Sequence, residues 1–302
     1  MKRVVIAGGA GTLGKAVAAH FSMQGYPVTL LTRTRRDSIP FDQMEWDGKT
    51  VNSRWGHLLK DSVLINLAGE LVDRVPTESN IDILERSRMQ PTLALAQAAQ
   101  KFGKPALWLQ MSTLAIYGDA GDTILDEHSS TAAGPRQMAG VAKSWEACVT
   151  DELADRLVIL RTAVVMQPNS PALNRLVTMT KWMLGGTVGS GNQWVSWIHI
   201  SDFLRALDFV VSKPAITGVV HLSSPEPVTN REMMRSLRRE LHRPWTPATP
   251  SWLIKIGAVL VFRTDPQLAL TGRRALPSKL MASGFHFEHP NFASALSNLL
   301  TS

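Results

Sequence analysis

Short apolar runs recur through the first half of the chain, at Arg3–Ala7, Val28–Thr32, Ser62–Asn66, Ala106–Gln110 and Leu157–Arg161. They are rich in Val, Ile and Leu with little alternation, as strands covered on both faces require. Between them the apolar positions take helical spacing. Leu13, Val17 and Phe21 repeat every four residues; Met138, Val141, Trp145 and Cys148 repeat at three, four and three. Strand and helix in alternation predict an α/β fold with a doubly wound parallel sheet between helical layers. After about Thr162 prolines and glycines become frequent and the pattern changes. Thr229 and Glu232 have the spacing of a capping box, opening a helix that Met233, Leu237 and Leu241 continue. Further helices are predicted at Ser251–Phe262, Ser278–Ser283 and Phe292–Leu300. Ser201–Val211 and Val219–Leu222 read as a last helix and strand of the main sheet. The expected division is a nucleotide-binding domain over 1–165, to which 195–225 returns, and a smaller, mainly helical lobe over 166–194 and 226–302.

Composition narrows the picture. With 302 residues, 44% hydrophobic and 19% charged, the chain can bury one large core and a smaller one. The lone cysteine, Cys148, rules out an internal disulfide framework, and its place on a packing stripe predicts a buried structural thiol. The apolar run after Lys2-Arg3 stops at Gly8-Gly9, too short for a secretory signal. The longest apolar stretch, Trp252–Phe262, contains Lys255 and is about half of a membrane span. The expectation is a cytoplasmic protein with no membrane partner. The net charge of +7 is spread over small groups such as Arg33/Arg35/Arg36, Arg235/Arg238/Arg239 and Arg273/Arg274. No tract interleaves these with aromatics, so a small anionic ligand is expected rather than nucleic acid. No histidine pair has ligand spacing with an acidic or cysteine partner, so no metal is expected.

The sharpest local signal is Val4-Val5-Ile6-Ala7-Gly8-Gly9-Ala10-Gly11-Thr12-Leu13-Gly14, where a strand runs through three spaced glycines into a helical pattern. Gly8, Gly11 and Gly14 let backbone amides approach a pyrophosphate, and the helix start that follows, with Thr12 and Leu13, supplies partial positive charge. The alternative is a purely structural turn. An acidic residue at the end of the second strand would bind the ribose 2′-hydroxyl of NAD. Here the chain reads Thr32-Arg33-Thr34-Arg35-Arg36, so Thr32, Arg33 and Arg36 point to NADP(H), whose 2′-phosphate suits a guanidinium.

The GxxGxxG spacing resembles the short-chain dehydrogenase/reductase superfamily, whose fold is of Rossmann type. Asn66-Leu67-Ala68-Gly69 resembles its N-x-A-G segment. Ser112-Thr113 running to Tyr117-Gly118, and Trp197-Ile198-His199-Ile200-Ser201-Asp202, resemble segments of its extended members. The match tightens to the epimerase family protein branch, or nucleoside-diphosphate-sugar epimerase-like proteins. Its marks are the glutamate of Gly69-Glu70, Glu85-Arg86-Ser87-Arg88, Trp145-Glu146, Leu160-Arg161-Thr162 and Gly189–His199. Leu241-His242-Arg243-Pro244 and Gly284-Phe285-His286-Phe287 resemble the branch's own C-terminal domain. The resemblance covers nearly the whole chain in order. It implies NADP(H) contacts from Asn66, Leu67, Ala68, Gly69, Glu70 and Arg88, and a substrate lined by Gln193, Trp197 and His199.

Ordinary members carry a tyrosine four residues before a lysine on one helix, and the lysine lowers the tyrosine pKa for acid/base work. Here Lys143 is present and Ala139 stands in the tyrosine's place. Ser112, Thr113, Lys143 and Tyr117 are the catalytic candidates, with Glu70, Arg88 and His199 as alternative proton carriers. For His199 the competing reading is a histidine that pins the lobe to the sheet. Two functions follow. One is an NADP(H)-dependent oxidoreductase or epimerase acting on a small polar substrate such as a nucleotide sugar, with Gly185–Gln193 in its pocket. The other is a non-catalytic NADP(H)-binding redox sensor or partner-binding module. The oligomeric state is left open.

Overall fold

The computed structural model describes residues 2–260 and 263–301. The apolar runs of the first third become β1 (Val4–Ala7), β2 (Val28–Thr32) and β4 (Val63–Asn66), in which every residue is buried. Between them lie α1 (Thr12–Met23), β3 (Asp42–Glu45) and α2 (Ser53–Gly56). There follow α3 (Glu78–Phe102), β5 (Leu107–Thr113), β6 (Ile124–Leu125), α4 (Val141–Glu146) and β7 (Leu157–Thr162). β8 (Val164–Met166), α5 (Pro171–Lys181), β9 (Trp194–Val195), β10 (Trp197–His199), α6 (Ile200–Ser212) and β11 (Gly218–Leu222) lead into the last part. That part holds β12 (Val228–Thr229), α7 (Asn230–Glu240), α8 (Ser251–Leu260), α9 (Gln267–Leu270), β13 (Arg274–Ala275), α10 (Ser278–Ala282) and α11 (Phe292–Thr301).

The main sheet has seven parallel strands in the order β11-β7-β5-β4-β1-β2-β3. Alternate residues of a strand face opposite layers. Val4 and Ile6 accordingly pack with Phe21, Phe203 and Leu207 on one face, and Val5 and Ala7 with Trp55, Leu95 and Trp108 on the other. The chain winds outward in both directions from β1, and the crevice beyond the carboxyl ends of β1 and β4 is where such sheets bind ligands. A separate cluster of Trp197, Met233, Leu237, Phe292 and Leu296 fills the C-terminal lobe.

Several expectations shift. β3 has no apolar run; Asp-Gln-Met-Glu forms a strand because β2 offers it an edge, paired from Thr29↔Asp42 to Thr32↔Glu45. α6 and β11 return to the main sheet, whereas β10 pairs with β8 outside it. The capping box at Thr229 and Glu232 is present in full. α8 runs to Leu260; Val261 and Phe262, included in that expected helix, lie outside the described residues. Cys148 departs from its expected burial: α4 ends at Glu146, so the stripe stops at Trp145 and the thiol is half-exposed beyond it, 3.2 Å from Ser144 O. What burial it has pushes the thiol pKa up.

Candidate cofactor and active site

The glycines of the first turn divide by role. Gly8 has φ +78°, and a Cβ there would stand 2.9 Å from the Leu67 and Ala68 backbone. A Cβ on Gly14 would meet Gly9 Cα at 2.6 Å and Gly8 O at 2.8 Å. Both glycines are needed for the backbone to close on itself. Gly11 is different: its φ of −74° suits any residue, and its nearest neighbour would be Gly8 O at 3.7 Å. Gly11 and Thr12 are exposed and Leu13 half-buried, and no side chain caps α1. The first-turn amides of α1 thus lack a side-chain acceptor beside open space, which is what a phosphate requires.

Beyond β2, Thr32 is buried and its hydroxyl donates to Thr34 O at 3.0 Å. Arg33 projects outward with 78% of its side chain exposed, 4.0 Å from Glu70. Arg36 is fixed through its backbone, donating to Gln43 Oε1 at 2.9 Å and accepting from Gln43 Nε2 at 2.8 Å. Glu45, beside Thr32 in register, accepts from Arg35 N at 3.2 Å. This carboxylate escaped the sequence reading because the strand that delivers it has no apolar signature.

Asn66 is turned inward. Its amide donates to Thr92 Oγ1 and Gln110 Oε1, both at 2.9 Å, and its oxygen accepts from Ala68 N at 3.1 Å. It therefore shapes the Leu67–Gly69 turn and leaves the backbone of that turn facing the crevice. Glu70 pairs with Arg74 at 2.6 Å. Arg88 lies beneath the turn, donating to Glu70 O at 2.8 Å and Leu84 O at 3.2 Å with its guanidinium 5.3 Å from the Trp145 ring centre. Burial pulls its pKa down to about 10, and Glu70 partly restores it. The observed contacts of Arg88 hold the loop from behind.

At the carboxyl ends of β5 and β7 a chain of buried polar groups appears. Ser112 donates to Glu146 Oε1 at 2.5 Å. Arg161 holds the same carboxylate with Nε at 2.9 Å and Nη2 at 2.8 Å, and reaches Tyr117 Oη with Nη1 at 2.7 Å. His221 Nδ1 lies 3.0 Å from the acceptor Leu276 O, so it carries the proton; the single Tyr117 hydroxyl proton is then shared between Nε2 at 2.7 Å and Asp126 O at 3.1 Å. Burial raises the Tyr117 pKa against the pull of Arg161, and burial lowers that of His221. Tyr117, a catalytic candidate in the sequence, is only 4% exposed and committed to this network. Ser112 is committed too. Thr113 is half-buried at the strand end, and its oxygen accepts from Ala115 N at 3.1 Å, leaving its own proton to donate. Ala139 is fully buried in a π-helical turn, Arg136–Gly140, just before α4. Lys143 is half-buried, and among the described residues its ammonium has no ion pair or hydrogen bond. Glu146 and Arg161 were visible only as family marks; nothing in their spacing announces a pair.

The residues expected at the substrate are tied into the lobe. Gln193 donates to Val188 O at 3.0 Å and Ala269 O at 2.9 Å. Trp197 is fully buried against Phe292, its indole donating to Glu226 O at 3.0 Å. His199 caps α6 through Ser201 N at 3.1 Å, with its ring 3.9 Å from that of His289. Asp202 accepts from Glu288 N and His289 N, both at 2.8 Å. The Trp-x-His-x-x-Asp segment is thus a clamp on the C-terminal strap, and the pinning role read for His199 matches these contacts. Burial, aided by His289, pulls its pKa down to about 4. Gly185–Gln193 is bound to the chain at Pro247–Thr249, through Thr249 N to Thr187 O at 2.8 Å and Gly189 N to Thr249 O at 2.9 Å. The lobe meets the cofactor side through Arg175 Nη1 to Asp73 Oδ1 at 3.1 Å. Beside that contact is a cavity of about 510 Å³ lined by Glu70, Leu71, Asp73, Arg74, Val75, Asn80 and Arg263.

Residues 4–220 match the NAD dependent epimerase/dehydratase family, and residues 249–299 match a domain of unknown function, DUF1731. An epimerase family protein of Mycobacterium bovis is 31% identical over 296 residues, 97% of this chain and 96% of its own. The crystal structure of human epimerase family protein SDR39U1 with NADPH superposes with a TM-score of 0.87 at 25% identity, covering 99% of both chains. A nucleoside-diphosphate sugar epimerase from Corynebacterium glutamicum gives 0.78 at 26% identity, covering 99% of this chain and 58% of that one. With the Rossmann sheet, the glycine turn and the C-terminal domain all matched in one order, the chain belongs to the NAD dependent epimerase/dehydratase family.

Proposed function

We propose that the protein binds NADP(H) in the crevice above β1 and β4 and acts as an oxidoreductase or epimerase on a small polar substrate, with a nucleotide sugar as the leading class. The observation that carries this reading is the uncapped start of α1 behind Gly11, with open space before it and exposed Arg33 at the ribose end. Gly8, Gly11, Thr12 and Leu13 would hold the pyrophosphate, and Leu67–Gly69 the adjacent sugar. Arg33 would bind the 2′-phosphate, with Lys143 at the second ribose. The human relative's structure with NADPH supports the choice of dinucleotide. When bound, the cofactor supplies a hydride donor or acceptor. Thr113 would donate a hydrogen bond to a substrate oxygen and Lys143 would add positive potential.

A second reading rests on Ala139, which removes the phenol that family members place beside the lysine. In that reading the protein binds NADP(H) without turnover and reports redox state. Titration with NADPH and NADH, followed by a turnover screen of nucleotide sugars with NADPH pre-loaded, tests both readings. Micromolar or tighter NADPH binding with turnover supports the enzyme, and binding with no turnover supports the sensor. Failure to bind either dinucleotide sinks both.

A further inference from the structure

Neighbouring segments of the C-terminal lobe carry exposed apolar side chains together with cations that enter no salt bridge among the described residues. On α8, Trp252, Ile256, Val259 and Leu260 share one helix face, and all are exposed, Trp252 at 62% and Leu260 at 73%. Trp245, 76% exposed, lies in the loop before α8, and Trp182, Met183 and Leu184, exposed at 42–76%, follow α5. These segments are neighbours: the chain at Thr187–Gly189 is hydrogen-bonded to Thr249, and Arg238 donates to Gly185 O. Lys181, Arg235, Arg239, Arg243 and Lys255 are also exposed on them, and none enters a salt bridge among the described residues. Across 181–184 and 230–260 the acidic residues are Glu232, which caps α7, and Glu240.

We propose that this face docks on an anionic lipid bilayer, with α8 lying in the plane of the interface. The length of α8 is about 15 Å, far too short to span a bilayer but suited to resting at its surface. No helix among the described residues is long and apolar enough to cross, so this is attachment without insertion. Tryptophan favours the headgroup level, where its ring is half in hydrocarbon and its N–H in water, and unpaired Lys and Arg favour anionic headgroups. A second copy fits less well, because a two-fold contact pairs the patch with itself and so sets one cationic, acid-poor surface against another. Nucleic acid would satisfy the cations but leave Leu184, Ile256 and Leu260 without a partner. This departs from the expectation of no membrane partner, which rested on the short apolar stretch and the lack of a basic tract, because folding makes neighbours of segments that lie apart in the sequence.

Flotation of the full chain with phosphatidylglycerol–phosphatidylcholine vesicles tests the proposal, with phosphatidylcholine vesicles as the neutral comparison. Binding is expected to the anionic vesicles only, to weaken at high salt, and to shift tryptophan emission to the blue. Trp252→Ser with Ile256→Ser, and separately Arg235→Glu with Arg239→Glu, should each lower partitioning by about tenfold or more while circular dichroism is unchanged. No flotation with anionic vesicles, or flotation that neither double variant reduces, overturns the proposal. Self-association abolished by Trp252→Ser with Ile256→Ser and no vesicle binding would assign the face to a second copy instead. Oligonucleotide binding lost in Arg235→Glu with Arg239→Glu, again without vesicle binding, would assign it to nucleic acid.

Discussion

Substituting the three glycines of the first turn one at a time separates the fold from the binding site. Gly8→Val forces a β-branched residue to φ +78° and its Cβ to 2.9 Å from the Leu67–Ala68 backbone. The conformational strain alone costs about 1–3 kcal/mol, and the clash adds to it. Gly14→Val drives a Cβ to 2.6 Å from Gly9 Cα, with backbone on both sides and no flexible side chain to yield. Gly11→Val meets only Gly8 O at 3.7 Å, in an extended conformation that valine adopts readily, so stability should change by no more than about 0.5 kcal/mol. Its side chain would nevertheless stand in front of the first-turn amides. Blocking two charge-assisted contacts worth about 1.5–3 kcal/mol each would weaken NADPH binding by about two to four powers of ten. Calorimetric titration with NADPH, paired with thermal melts, measures both quantities. A Gly11→Val protein that melts normally and binds NADPH as tightly as the native chain would show that the loop is only a turn. One that unfolds would show that the open space before α1 has been misread.

The remaining predictions use other parts of the site. Arg33→Ala should lower NADPH affinity by about 1.5–3 kcal/mol and leave NADH affinity unchanged in fluorescence titrations; equal losses for both would remove the 2′-phosphate role. Glu146→Gln strands Arg161 in a buried site, where breaking an ion pair costs about 3–5 kcal/mol, and denaturant midpoints should fall accordingly. Ala139→Tyr, at a fully buried position, should cost about 1–3 kcal/mol of stability by overpacking, and turnover in the folded fraction tests whether a phenol beside Lys143 restores chemistry. His199, with its folded pKa near 4 against 6.5 unfolded, is neutral in the native protein. The unfolded chain therefore binds the extra proton below pH 6.5, and stability is lost as pH falls toward 4, by on the order of 3 kcal/mol. Melts from pH 7 to 4 should show a shallower fall in His199→Gln, and parallel curves would refute the assignment.

What the sequence discloses follows from which forces act locally. Strands buried on both faces must be apolar throughout, so β1, β2 and β4 are legible as runs, and the glycines are legible because positive φ and close backbone approach demand them. β3 is an edge strand whose pairing comes entirely from β2, and with it went Glu45, whose carboxylate sits beside the Arg33–Arg36 loop although none of the four residues after β2 is acidic. The same logic explains the polar chain from Ser112 to His221. Its members come from β5, the turn after it, α4, β7 and β11, and they meet only because three parallel strands end side by side. A motif records that such residues recur together, but a hydroxyl aimed at substrate and one committed to a buried carboxylate look alike in one dimension. That ambiguity separates Thr113 from Ser112: adjacent on β5, they project to opposite sides, Ser112 onto Glu146 and Arg161 and Thr113 toward the strand end. The Trp-x-His-x-x-Asp segment resolves in the same way. Its indole packs on Phe292, its imidazole lies against His289 while capping α6, and its carboxylate accepts from Glu288 N and His289 N, so the segment holds the C-terminal strap in place. Under the proposed function, substrate choice would fall instead to half-buried side chains such as Thr113 and Lys143 and to the cavity residues Asp73 and Arg263, whose sequence positions carry no periodic signal at all.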